Sequence, residues 1–240
     1  MQQQQRPTSS RNQITLRGST KVIVEFFEYC INSLLFQRGL YAPEYFKMTK
    51  KYGLNMLVTN DPEVKSHMRE ILKQVEAWLM ACKVEKLILA IKSKETMTVL
   101  ERWQFDIHNT KDQSSTINAT TSTDPFSRPL AGQDSTPTTT TSSLSSPSKP
   151  KPEKTEKEIQ TEIQAILRQI TASVSFLPML DEKCTWTILC QTEKDAEVPA
   201  TWSDADPHLV HNAEQVKLRS FSTNLHKIDA LVAYRLNDDL

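Results

Sequence analysis

The sequence predicts an α+β fold, since segments with helical periodicity alternate along the chain with segments patterned as strands. Residues 98–108 alternate between apolar and polar positions, which is typical of a strand with one buried face. Residues 84–92 are nearly continuous in Leu, Ile and Ala, as expected of a central strand. In residues 156–180 the apolar side chains instead fall on one stripe at 3.6 residues per turn. That stripe consists of Ile159, Ile163, Ile166, Leu167, Ile170 and Val174.

Two more helices and a hairpin are predicted before residue 84. The first helix starts near Gly18, with Ser19 as its N-cap, and ends at Arg38 and Gly39. Its apolar residues cover more than one face, so we expect it to be central. Residues 45–49 and 54–59 predict a hairpin. Asp61 as N-cap and Pro62 then open a second helix. Its stripe comprises Val64, Met68, Ile71, Leu72, Val75, Leu79 and Cys82.

Residues 109–155 break every hydrophobic pattern. Of these 47 residues, 21 are Ser or Thr and six are Pro. Such a segment buries too little apolar surface to offset ordering its backbone, so we expect a disordered insertion. Thr136 and Ser146 each precede a proline and are candidate sites for proline-directed phosphorylation. Residues 1–13 are predicted to be a disordered tail.

The C-terminal third begins with a strand over residues 183–191, where Trp186, Ile188 and Cys190 share a face. A long polar segment follows in residues 192–215, with scattered apolar residues that include Val198 and Trp202. Strand patterns return in residues 216–221 and 230–236.

Composition and motifs argue against catalysis. Lys and Arg balance Asp and Glu at 29 each, so no global field favours nucleic acid or an anionic membrane. With only four glycines, the chain has no phosphate-binding loop and no nucleophile elbow. No apolar run approaches the roughly 18–20 residues that cross a bilayer, and the polar N-terminus does not resemble a secretory signal. His208 and His211 near two aspartates suit a polar loop better than a metal site. We therefore predict no enzyme activity, cofactor or metal, and reduced cysteines.

Several segments of the chain resemble HORMA-domain proteins of the spindle assembly checkpoint. The matching segments are ITLRGST (14–20), INSLLFQRGLY (31–41), KYGL with MLVT (51–59), VLERWQFDI (99–107), LRQITASVSFLP (167–178) and LRSFST…HK…VAY (218–234). The resemblance covers residues 14–108 and 156–236, and the long insertion departs from the family. An alternative is a related HORMA protein, the accessory subunit of a translesion DNA polymerase that acts as a peptide-binding adaptor.

The resemblance implies a HORMA domain over residues 14–236: three helices packed against a mostly antiparallel sheet. It also implies two states, open and closed, which differ in the position of the C-terminal strands. In the closed state a safety belt, residues 192–236, fastens over a short peptide. The implied peptide-binding strand contains Thr185, Trp186, Thr187, Ile188 and Leu189, and its pattern suits a sheet edge. The implied belt residues are Val198, Trp202, Phe221, His226, Val232 and Tyr234.

Partners and further roles follow from the same resemblance. The family binds a coiled-coil kinetochore receptor and the activator subunit of the anaphase-promoting complex, and an AAA+ ATPase is a further candidate partner that would remodel it. It works in nucleus and cytoplasm, and at kinetochores in mitosis.

Arg168, Gln169 and Phe176 match the surface on which open and closed copies pair, although Arg168 and Gln169 would otherwise be a solvated helix face. Leu16, Trp78 and Trp103 are candidate switch residues, against simpler roles as a hydrophobic staple for Leu16 and core aromatics for the tryptophans.

Overall fold

A computed structural model describes residues 15–110 and 153–236. The predicted N-terminal tail, nearly all of the insertion, and the candidate phosphorylation sites Thr136 and Ser146 lie outside the described residues. Three helices pack against a mostly antiparallel sheet, which confirms the predicted fold class.

The first helix, α1 (Leu16–Gln37), is central as predicted, and it packs against both other helices. Its N-cap is Thr15 rather than Ser19, because the Thr15 hydroxyl accepts a hydrogen bond from the Gly18 amide at 3.2 Å. Ser19 is instead fully buried. Leu16, which the staple interpretation placed ahead of the helix, is its first residue. After Gln37 the chain turns through Gly39, whose φ of +64° suits glycine.

The other two helices are amphipathic. Asp61 caps α2 (Pro62–Met80) as predicted, by accepting from the amides of Glu63 and Val64 at 2.9 Å. Helix α3 (Glu156–Ser173) starts with a capping box between Thr155 and Glu158. The predicted apolar stripes are wrong at two residues, because both lie just beyond the helix ends. Cys82 is exposed after α2, and Val174 is the C-cap of α3 with 40% of its surface exposed.

The predicted hairpin is present as a separate two-stranded sheet, β1 (Phe46–Lys51) with β2 (Leu54–Thr59). The first strand runs two residues further than the sequence predicted, so the turn is Tyr52–Gly53 alone. Gly53 has a φ of +68°, which favours glycine, and a Cβ there would have to displace the Gln164 side-chain nitrogen, 2.8 Å away.

The main sheet contains β3 (Val84–Ser93), β4 (Val99–Asn109), β5 (Cys184–Thr192), β6 (Ala213–Lys217), β7 (Phe221–Ser222) and β8 (His226–Arg235). Its order is β5-β3-β4-β8-β6, with β7 also paired to β8, and every pair is antiparallel. The central place of β3 agrees with its continuous apolar run. One face of the sheet packs on the helices and is called the helical face below. The opposite face is called the outer face.

The core lies between the helices and the helical face. Trp103, Phe105 and Ile107 of β4 belong to it, as their alternation predicted. The rings of Phe26 and Phe27 in α1 meet Phe105 at centroid distances of 5.8 and 5.6 Å. Within the described residues, no helix combines the length and apolarity needed to cross a membrane.

Candidate functional site

Strand β5 forms one edge of the main sheet, as its sequence predicted. It pairs with β3 through nine residues, from Val84 opposite Thr192 to Ser93 opposite Cys184. Within residues 15–110 and 153–236 no strand pairs with its other side. The backbone groups along that side are therefore available for an added strand. Trp186, Ile188 and Cys190 point to the helical face, and Thr185, Thr187 and Leu189 point to the outer face.

On the helical face, an aromatic cluster supports the β5 edge. The indole nitrogen of Trp186 donates to the Tyr41 hydroxyl at 2.9 Å. The His67 ring of α2 stands edge-on to Trp186 at a centroid distance of 5.5 Å. Further along the strand, burial raises the pKa of the Cys190 thiol to about 12. That thiol stays protonated at neutral pH, so it packs as an apolar group.

A long segment without strands, residues 193–212, leads from β5 to β6 and is called the crossing segment. Its start is held by Lys83, which lies between α2 and β3. The Lys83 ammonium contacts Asp195 at 2.8 Å and Glu193 at 2.6 Å, and these two carboxylates raise its pKa. The Glu193 amide also donates to the Lys83 carbonyl at 2.9 Å. The segment therefore leaves β5 in a defined direction.

The crossing segment next packs on the helical side through Trp202. The Trp202 ring lies edge-on to Trp78 of α2 at a centroid distance of 4.9 Å. The Trp78 indole also donates to the Glu197 carbonyl at 2.9 Å. Trp78 is 4% exposed, so it is both a core residue and a contact of the segment. Val198, another predicted belt residue, is 54% exposed and does not anchor the segment in this conformation.

The same segment then contacts the outer face. Arg102 of β4 donates to the Pro207 carbonyl at 3.2 Å, and the Lys92 ammonium lies 3.2 Å from His208. Arg102 points away from the core because its neighbour Trp103 points into it. Between Trp202 and Pro207 the chain thus passes from one face of the sheet to the other.

Residues 213–235, the C-terminal hairpin, continue the sheet on the side remote from β5. Strand β8 pairs with β4 from Asn109 opposite His226 to Glu101 opposite Tyr234. Three of the predicted belt residues, Phe221, Val232 and Tyr234, are at most 5% exposed. The strand bounds differ from the prediction: β8 begins four residues earlier, and residues 218–220 interrupt the run predicted for residues 216–221. Both differences arise because strand pairing, of β8 with β4 and of β6 and β7 with β8, defines these strands rather than local pattern.

His226, the remaining predicted belt residue, joins the hairpin to α1. Its Nδ1 atom lies 2.7 Å from the Ser19 hydroxyl, which is also 2.6 Å from the Thr223 hydroxyl. All three side chains are at most 3% exposed. The hairpin is therefore docked on both the sheet and the first turn of α1.

The predicted dimerisation residues lie near the C-terminal hairpin. Arg168 is exposed on α3, and Phe176 is 43% exposed beyond its end. The Gln169 side chain accepts from the Arg219 amide at 2.6 Å, and the Phe176 ring is 6.2 Å from that of Tyr234. The proposed switch residues are separated: Leu16 is half-buried in α1, whereas Trp103 is fully buried in the core.

Chemically, this arrangement suits protein binding. A free strand edge supplies backbone donors and acceptors, and the segment around it supplies aromatic and apolar side chains. Within the part of the chain that the structure describes, no cluster of three or more His, Cys, Asp or Glu residues could hold a metal ion.

Sequence reasoning missed the contacts of Lys83, Arg102, Ser19 and His67. Each joins residues that are far apart along the chain, and no spacing rule connects them. The buried contact of Ser19 was not predicted because a serine at the start of a helix is normally assigned as its N-cap.

Comparisons with known proteins place the chain in a family. The HORMA domain model matches residues 19–226. The mitotic spindle checkpoint component mad2 of Schizosaccharomyces pombe is 45% identical over 95% of this chain and 97% of its own length. The mitotic spindle assembly checkpoint protein MAD2A of Homo sapiens is 41% identical over 95% of this chain and 96% of its own. Among solved structures, a chain in the crystal structure of the mitotic checkpoint complex is 43% identical with a TM-score of 0.71. That match covers 91% of this chain and 99% of the other.

The chain therefore belongs to the HORMA domain family. Within that family it is a spindle assembly checkpoint protein, which confirms the main prediction over the polymerase subunit.

Proposed function

We propose that this checkpoint protein is a two-state switch that clasps a short peptide against β5, with residues 192–236 as its safety belt. The observation that supports this most directly is the path of the crossing segment. It leaves the end of β5, packs on Trp78 and reaches Arg102 on the outer face, while one edge of β5 is unpaired among the described strands. A peptide that adds to this edge would lie beside a chain segment held on both faces.

Strand addition supplies affinity and selectivity from different sources. Backbone hydrogen bonds to β5 are independent of the peptide sequence, whereas its alternate side chains enter pockets. Those on the helical side would meet Trp186, Ile188 and α2. Those on the outer side would meet Thr187, Leu189 and the crossing segment.

The conformation described here corresponds to the closed state in this proposal. The C-terminal hairpin pairs with β4, and at the opposite edge no other described strand pairs with β5. Opening would have to break the nine β4–β8 residue pairs and expose Val232 and Ile228, both fully buried. We therefore expect slow exchange between states, as for local unfolding, and slow release of a clasped peptide.

The proposed ligands are segments of a coiled-coil kinetochore receptor and of the activator subunit of the anaphase-promoting complex. We further propose that open and closed copies pair through Arg168, Gln169 and Phe176, and that an AAA+ ATPase reopens the closed form. The corresponding locations are the nucleus and cytoplasm, and kinetochores during mitosis. By clasping the activator, the protein would delay anaphase until kinetochores attach.

Peptide dissociation from matched variants tests the clasp. The probe is a peptide enriched on the full-length protein from a phage-displayed random library of peptides about 12 residues long. Trp202→Ala should accelerate its dissociation about tenfold, because an aromatic pair and its burial are worth about 1–2 kcal/mol. Val198→Ala is the control from the same segment, and since Val198 is exposed the rate should change less than about twofold. Equal rates for the two variants would refute the clasp.

A chain that ends at Asp229 tests the hairpin. It lacks most of β8, the strand that pairs with β4 and so holds the belt in place. The same peptide should therefore dissociate at least about tenfold faster. Because Ala230 and Val232 are core residues, the melting temperature of the shortened chain is measured alongside. A folded, shortened chain that releases the peptide at the full-length rate would contradict the safety-belt role.

A further inference from the structure

The contact between Ser19, Thr223 and His226 ties the C-terminal hairpin to α1. Ser19 lies in the first turn of α1, Thr223 just after β7, and His226 starts β8. The Ser19 hydroxyl is 2.6 Å from that of Thr223 and 2.7 Å from the imidazole Nδ1. The Thr223 hydroxyl in turn accepts from the amides of Leu225 and His226 at 3.2 and 2.9 Å. The bonds from Ser19 to the hairpin exist only when the hairpin is docked.

The other imidazole nitrogen, Nε2, is buried with no hydrogen-bond partner among the described residues. A neutral ring tolerates this, since one nitrogen bonds to Ser19 and the other carries either a lone pair or one unpaired N–H. A protonated ring carries a proton on both nitrogens, so it would bury a charged N–H without an acceptor. The cost of such a group is several kcal/mol.

Within residues 15–110 and 153–236, no charged side chain pairs with the His226 ring. The ring contacts the Ser19 hydroxyl of α1, which also contacts the Thr223 hydroxyl between β7 and β8, and His226 is paired with Asn109 of β4. The charged residues that contact the same turn, Lys154 and Glu162, bond to Ser222 at 2.7 and 3.0 Å.

Other charged residues near His226 in sequence or register point to the outer face of the sheet. There His108 lies 3.2 Å from Asp229, which Lys227 contacts at 2.7 Å. These groups are separated from the His226 ring by the sheet.

We infer that His226 is a proton-sensitive latch: the C-terminal hairpin docks only while this imidazole is neutral, and acidification releases it. This inference rests on the proposed two-state function, because it requires an undocked state in which His226 reaches water. Burial lowers the pKa of His226 in the docked state, which agrees with the geometry.

The sign and size of the effect follow from proton linkage. The undocked state binds more protons, so docking is favoured at high pH and weakened as the pH falls through the ordinary histidine pKa of 6.5. With the docked state unable to take the proton, the docked-to-undocked ratio should fall roughly tenfold between about pH 7.5 and 5.5.

The experiment compares peptide-free protein that retains His226 with the variant His226→Asn across that pH range. Asparagine can place a polar atom near the position of Nδ1 and does not titrate, so it preserves the bond to Ser19. Both chains carry His108→Gln and His208→Gln, because the first residue contacts Asp229 and the second contacts Lys92. Slowly exchanging NMR signals of the two states give the ratio.

The expected result is a roughly tenfold pH-dependent change in the chain with His226 and less than about twofold in the His226→Asn variant. Equal pH dependence of the two, or a constant ratio in both, would overturn the latch. A single folded state at every pH would instead refute the proposed switch.

Imidazole NMR of the unsubstituted protein adds a test that survives misfolding of the variant. In the docked state burial lowers the pKa of His226, so its ring should resist protonation as the pH falls through the ordinary histidine pKa of 6.5. Protonation of His226 at that ordinary value in the docked state would overturn the inference.

Discussion

Arg38 and Glu101 form an ion pair that the sequence did not suggest. Their side chains are only 6% and 2% exposed, and the Arg38 Nε atom lies 2.8 Å from the Glu101 carboxylate. Arg38 also donates to the Pro178 carbonyl at 2.5 Å, so it joins α1, β4 and the segment after α3. Burial raises the pKa of Glu101, and the Arg38 charge opposes that shift. Arg38 therefore favours the charged form of the Glu101 carboxylate in the interior.

We expect Arg38→Met to lower the free energy of unfolding by about 3–5 kcal/mol, because it leaves the buried Glu101 carboxylate without its partner. Lys51→Met is the matched control, since Lys51 pairs with Glu25 at 2.8 Å but the two side chains are 34% and 39% exposed. Exposed pairs contribute about 0–1 kcal/mol. Urea denaturation measures both variants, and equal losses would show that burial does not distinguish the two pairs.

At the scale of elements, the surface of α3 is linked to the position of the C-terminal hairpin. Gln169 bonds to the backbone of Arg219, and Phe176 contacts Tyr234. Arg219 and Tyr234 both belong to the C-terminal hairpin, so a movement of the hairpin changes which side chains lie beside Gln169 and Phe176. A surface that differs between two conformations of one chain is suited to pairing a copy in one conformation with a copy in the other.

Arg168→Glu should abolish self-association at tens of micromolar without changing the melting temperature. Arg168 is exposed, so reversing its charge alters the surface and leaves the core intact. Lys157→Glu makes the same charge change in the first turn of the same helix, and we expect it to leave association unchanged. Sedimentation velocity measures both variants and the unsubstituted chain. Wild-type protein that stays monomeric, or equal weakening by the two variants, would contradict the proposed surface.

At the scale of the molecule, local signals predicted the elements and long-range contacts decided the site. The alternation in β4 and the stripe in α3 depend on neighbours in sequence, and both are observed. Val198 and Trp202 are both apolar residues in a polar segment, and pattern cannot tell which of them packs on the domain. The choice depends on Trp78, more than a hundred residues earlier. The edge position of β5 was predictable, whereas the path of the crossing segment and the Ser19–His226 contact were not.

The two ends of the insertion meet at one residue of the C-terminal hairpin. The Thr110 hydroxyl donates to the Asn224 carbonyl at 3.0 Å, and the Lys154 amide donates to the Asn224 side chain at 2.9 Å. The chain therefore leaves and re-enters the described structure at nearly the same place. A linker of a few residues, at up to about 3.5 Å each, is long enough to join these ends.

Replacing residues 112–152 with Gly-Ser-Gly-Ser should therefore preserve the fold. Loop-closure entropy changes slowly with length, so the shorter connection should raise the free energy of unfolding by about 1–2 kcal/mol. For a chain of this size that corresponds to a melting temperature roughly 2–8 °C higher. A second variant replaces the same residues with an equally long Gly/Ser segment, which separates sequence from length and should melt within about 2 °C of the original protein. Melting temperatures that fall by several degrees in both variants would mean that residues 112–152 contribute contacts to the domain, since the two share only the loss of that sequence.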